Sequence, residues 1–344
     1  MEAAGTRRVF GTTPEGQTIE AVTIAAGELS ADIITYGAIL RDLRLLHMPH
    51  PLVLGFCDLD GYLATNAFLG ATAGRVGNRI AGGRFTLDGR EVELDVNDPP
   101  NHLHGGEASF GRRPWRIMSH DETSVILGLV SRAGESGYPG TVEVTCRFEL
   151  LPPATLRITY LGRTDEPTLL NLLHHSYFNL SGADDILNHS LMIPAQAYLP
   201  ANENEIPTGE VRGVEGTPYD FRKRAKIADR RGAEKTVYDA NFCLAEHRHE
   251  DPRHAASLWN DNGELEMQVW TTEPGVQLYD GYKLDLPVKG LEGRPYGAHA
   301  GLCLEPQLWP DAPNHEGFPS AVLRPGETYR QITEFHFRHE PVAE

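Results

Sequence analysis

Alternation of apolar and polar positions is the dominant signal in this chain. Residues 141–150 place Val142, Val144, Cys146, Phe148 and Leu150 on one side and polar residues on the other. A period of two is the repeat of an extended backbone, so the segment predicts a half-buried antiparallel strand. Pro152 and Pro153 turn the chain, and residues 155–160 alternate again. The same pattern marks residues 263–270 and 329–337. Residues 84–94 carry Asp88-Gly89 at their centre, a pair suited to the positive φ angles of a tight turn, so a hairpin is expected there. Helical signals are weak: residues 225–235 suit one short helix, and no long amphipathic stripe with caps occurs. The 35 glycines and 24 prolines punctuate the whole length, as many short strands joined by turns require. No internal repeat or linker divides the chain, and residues 201–219 read as a long surface loop. The expectation is an all-β antiparallel sandwich, one domain over residues 1–344.

Composition narrows the partners. Of 344 residues 40% are hydrophobic, enough for a sizeable core. Lys and Arg total 31 against 48 Asp and Glu, a formal net charge of -17. Nucleic acid and anionic membrane recruit basic patches, so neither is an expected partner. No apolar run approaches the roughly 18 residues of a membrane span, and residues 1–8 lack the apolar stretch of a secretory signal. Cys57, Cys146, Cys243 and Cys303 are scattered and form no CxxC pair, which fits free thiols in a reducing compartment. A cytoplasmic protein is expected.

Several chemistries lack their motifs. No two glycines are separated by a single residue, so GxGxxG does not occur, and neither GxxxxGK[ST] nor GxSxG is present. His249-Glu-Asp-Pro-Arg-His254 has the wrong spacing for HExxH and contains Pro252, which breaks a metal-binding helix.

Four clusters hold groups able to do chemistry. Asn78-Arg79-Ile80 and Asn101-His-Leu-His104-Gly-Gly offer a guanidinium fork and an imidazole on a permissive backbone. A structural ion pair for Arg79 and a turn hydrogen bond for His104 are the plainer alternatives. In Leu172-Leu-His174-His175-Ser-Tyr-Phe, neighbouring side chains point to opposite faces, so only one histidine enters a given site. Periodicity does not say which. Leu302 and Leu304 alternate with Cys303, Glu305 and Gln307, placing a carboxylate and a carboxamide opposite two leucines; Asp311, after Pro310, suits a turn. Asp239 with Asn241, and Gln277 with Tyr279, share faces in the same way. Acids, amides and aromatic rings together suit a sugar: carboxylates accept from hydroxyls and rings cover the apolar sugar face.

In order along the chain, these segments resemble the aldose 1-epimerase (galactose mutarotase) family. The matching stretches are Asn78-Arg-Ile80, Asn101-His-Leu-His-Gly-Gly106, His175-Ser-Tyr-Phe-Asn-Leu180, Asp239-Ala-Asn-Phe-Cys243 and Leu304-Glu-Pro-Gln307 with Pro310-Asp-Ala312, and the likeness runs from about residue 10 to the C-terminus. The resemblance implies a large β-supersandwich with a sugar site on a concave sheet face. It implies Glu305 as catalytic base, His175 as catalytic acid and His104 as its assistant. Arg79, Asn78, Asp239 and Gln277 would bind sugar hydroxyls. Pro306 and Ala240 depart from the family pattern beside these residues. The implied reaction is anomer interconversion of a free hexose such as galactose or glucose, with no cofactor and no metal. Related branches act on phosphorylated or other sugars, and some members bind without turnover.

Three rivals remain in view. His102, His104 and Glu107 suggest a cupin-like metal set, although Gly105-Gly106 favours a turn there. A carbohydrate-binding protein would need no acid–base couple. A glycoside hydrolase would need two opposed carboxylates.

Overall fold

A computed structural model describes residues 2–339. The expected alternation is realised in the strand Val142–Leu151, whose even-numbered side chains are buried and whose odd-numbered ones are partly or fully exposed. It pairs in register with Ser124–Ser131 on one side and Thr155–Thr164 on the other. These belong to a nine-stranded antiparallel sheet in which the C-terminal strand Tyr329–His339 lies between Thr155–Thr164 and Leu265–Thr271. A six-stranded sheet, whose centre is Asp239–Cys243, Gly275–Tyr279 and Leu302–Gln307, faces it, and Arg7–Thr12, Thr18–Ala26, Leu29–Ile34 and Ile39–Leu45 form a further four-stranded sheet.

One apolar core joins the three sheets. The nine-stranded sheet contributes Cys146, Phe148, Ile158, Val269 and Phe335, and the six-stranded sheet contributes Phe242, Val276, Leu278, Leu302 and Leu304. Val22, Ile24 and Ile33 join them from the four-stranded sheet. Because side chains alternate, the six-stranded sheet has a second face free for polar work.

The predicted hairpin is present. Arg84–Leu87 pairs with Arg90–Glu93 around Asp88 (φ 49°) and Gly89 (φ 77°), the two positive angles of a tight type I′ turn. The short helix Ile227–Arg230 falls within residues 225–235. A second, Leu59–Leu63, is started by Asp58, whose Oδ1 accepts from Gly61 N–H at 3.0 Å. Among the described residues, no helix is long and apolar enough to cross a membrane.

Candidate active site

Register builds the floor of the site. Asn241 lies opposite Gln277, and Gln277 opposite Glu305. The next row runs Asp239, Tyr279, Cys303 and Tyr177. All are odd-numbered, on the face opposite the core residues Ala240, Phe242, Val276, Leu278, Leu302 and Leu304. Gln277 Nε2 donates to Asp239 Oδ1 at 2.6 Å, and Gln307 Nε2 donates to Gln277 Oε1 at 3.3 Å. The polar row is thus braced along its length.

The same alternation separates the two histidines. His174 turns into the core, where its ring meets Phe148 and Phe335 edge-on and its Nε2 pairs with Ser176 Oγ at 2.7 Å. His175 turns the other way, with Nε2 3.7 Å from Glu305 Oε1 and Nδ1 3.4 Å from Cys303 Sγ. Of the two, His175 is the one that lines the cavity.

The loop after the short strand His102–Leu103 supplies His104, beside Asn78 immediately before the paired strand Arg79–Ile80. His104 Nδ1 accepts from the Asn78 backbone N–H at 3.1 Å, so the neutral ring carries its proton on Nε2. Gly105 (φ 88°) lets this loop lie against the backbone of Gly74; a Cβ there would sit 1.8 Å from the Gly74 oxygen. The His104 ring meets His175 edge-on at 5.4 Å and lies 4.9 Å from Phe68.

The seven residues that the family resemblance implied for the site, Asn78, Arg79, His104, His175, Asp239, Gln277 and Glu305, all line one cavity of about 390 Å³. Arg79 makes the structural ion pairs that were its plainer alternative, Nε with Asp98 at 2.8 Å and Nη2 with Glu205, and it also lines the cavity. Asp311 is the turn residue expected: at φ 57° it accepts from Ala81 N–H and its own N–H donates to Arg79 O, anchoring the Arg79 backbone. Neither Pro306 nor Ala240 lines the cavity.

Burial dominates the electrostatics. Glu305 is 2% exposed, and burial, reinforced by the Asp239 charge, pushes its pKa well above the usual carboxylate range. Burial lowers His175 to about 4, and burial together with the nearby His175 and Arg79 holds His104 well below the ordinary imidazole range. Asp239 is raised to about 6, mainly by burial, against the pull of Arg79.

The cupin-like metal set does not converge. His102 Nδ1 pairs with Asp95 and its Nε2 with Tyr138 Oη at 2.7 Å, so both ring nitrogens are engaged away from His104. His175, Cys303 and Glu305 have ligand atoms within 4.8 Å of one another. Within this group Cys303 Sγ approaches His175 Nδ1 at 3.4 Å and Glu305 Oε1 approaches Nε2 at 3.7 Å.

The aldose 1-epimerase family profile matches residues 20–336. The galactose mutarotase of Mus musculus is 42% identical, over 96% of this chain and 98% of that protein. The chain belongs to the aldose 1-epimerase family. The aldose 1-epimerase of Escherichia coli (strain K12) is 36% identical, over 94% of this chain and 96% of its own length. Among solved structures, an aldose epimerase homologue from C. elegans superposes with a TM-score of 0.87 at 30% identity, covering 93% of this chain and 99% of that one. As a member of the family this protein is an isomerase, and its supersandwich is the family's fold.

The structure also brings to the epimerase site residues that the sequence patterns did not reveal. Phe68 stands at φ 55°, stacks toward His175 and carries Arg112 over its ring. Asp98 and Lys283 line the cavity, and Glu205 bridges Arg79 to Lys283. Phe68, Glu205 and Lys283 lie in loops and Asp98 in a single bridge, where no periodicity exists to mark them.

Proposed function

We propose that this epimerase interconverts the α and β anomers of free D-galactose, and of D-glucose, with Glu305 as base and His175 as acid. Glu305 takes the proton from the C1 hydroxyl while His175 gives one to the ring oxygen. The C1–O5 bond breaks, the aldehyde turns about C1–C2, and closure on the other carbonyl face reverses both transfers. The carrying observation is the 3.7 Å between His175 Nε2 and Glu305 Oε1 on the cavity floor. The two oxygens that exchange protons are both bonded to C1, so an acid and a base this close suit them together.

Burial drives both partners toward their neutral forms, yet the pair carries one proton whose position does not change its net charge. Sugar hydroxyls entering the cavity solvate the Glu305 carboxylate and favour the proton on His175. His104, with its proton on Nε2, assists at the ring oxygen. Arg79, Asp239, Gln277 and Asn78 hold the other hydroxyls and orient C1 over the pair. Galactose is proposed as substrate because the mouse relative carries that name. The free state of all four cysteines supports a reducing compartment, the cytoplasm. A family match spanning residues 20–336 supports a single domain.

The test follows optical rotation of freshly dissolved α-D-galactose and α-D-glucose. Wild type speeds the approach to equilibrium, and Glu305→Gln and His175→Asn each lose about 10²–10⁴-fold in kcat. Full activity in either variant would overturn its assignment.

A further inference from the structure

We propose that Glu205 makes the epimerase select uncharged aldoses, by occupying the two cations of the cavity, Arg79 and Lys283, that an anionic sugar would otherwise use. The proposal rests on the mutarotase reading above and names the substrate class of that site.

Arg79 and Lys283 line the cavity, and Glu205 takes both: one carboxylate oxygen pairs with Arg79 Nη2, the other with Lys283 Nζ. Tyr282 Oη adds a bond to Glu205 Oε1 at 3.3 Å. The second arm of Arg79 is held by Asp98. The remaining lining carboxyl groups are Asp239, Asp285 and Glu305. A sugar bearing a phosphate or a carboxylate would thus meet acids, with both cations already engaged.

The turn that presents Glu205 is built for this position. Asn202 Oδ1 accepts from Asn204 N–H at 2.9 Å and Ile206 N–H at 3.2 Å, and Glu205 N–H donates to Asn202 O at 3.0 Å. Asn101 Nδ2 ties the loop to the site wall through Asn204 O at 3.0 Å. Glu205 itself stands at φ 59°, a left-handed conformation that non-glycine residues adopt rarely and chiefly where surrounding contacts impose it.

The experiment measures kcat/KM for D-galactose, D-galacturonate and D-galactose 6-phosphate. Wild type prefers galactose. Glu205→Gln, or Glu205→Asn, which tolerates the left-handed turn, raises the anionic-to-neutral ratio about tenfold or more, the size one unit charge exerts across a partly buried site. The gain is chiefly in KM and shrinks with added salt. Combining Glu205→Gln with Lys283→Met returns the ratio toward wild type. An unchanged ratio in both single variants, or a gain that survives the double substitution, overturns the proposal. If wild type turns over no galactose, the mutarotase reading fails separately, and the same ratios read as dissociation constants by calorimetry still judge Glu205.

Discussion

His174 and His175 are neighbours in sequence with opposite surroundings, one among phenylalanines and one beside Glu305. Both are buried, so burial alone does not separate the histidine that lines the cavity from the one in the core; the partners do. Asp239 shows the cost of such a setting. Its pKa is raised from 3.8 to about 6, mainly by burial, so the fold disfavours its ionised form. Its contribution to stability is intact below 3.8 and is lost as pH rises through about 6. Asp239→Asn removes that loss while keeping an oxygen for Gln277. The variant should melt above wild type at pH 8, by a margin that vanishes below about pH 4, and should bind sugar more weakly. Thermal melts across pH read the first effect and KM the second; a margin independent of pH would refute the account.

Legibility differs from element to element. Val142–Leu151 was readable because one face meets the core and the other meets solvent. Leu302–Gln307 is buried on every residue, lying between the core and the cavity, so its alternation separates apolar from polar side chains rather than inside from outside. The leucines around His174 and His175 hide the period for the same reason. The short strands and the Glu205 turn have no period to show. Loop geometry also carries a testable demand. At Gly105 an alanine would adopt φ 88° and press on the Gly74 backbone. Gly105→Ala is expected to cost about 1–3 kcal/mol from backbone strain alone and more from the displaced wall. Urea denaturation reads the loss, and mutarotation should fall with it because His104 is the adjacent residue. Unaltered stability would show that the loop accommodates a Cβ.

For the whole molecule, the net charge of -17 and the carboxyl groups of the cavity act the same way, against anions. Thiol titration tests the packing globally. Cys57 is exposed, Cys243 half-buried and Cys146 and Cys303 buried. In native protein an aromatic disulfide reagent should label Cys57 first and leave mutarotation intact, and all four cysteines should react after unfolding. Rapid labelling of Cys303 in the native protein would contradict the closed floor beside His175. Finally, Tyr329–His339 sits between Thr155–Thr164 and Leu265–Thr271. During synthesis that segment emerges after both of its neighbours. Until then the nascent chain carries two open strand edges in the middle of its largest sheet, each a template for wrong pairing. The largest sheet therefore closes in one step, when Tyr329–His339 enters between strands that precede it in the chain.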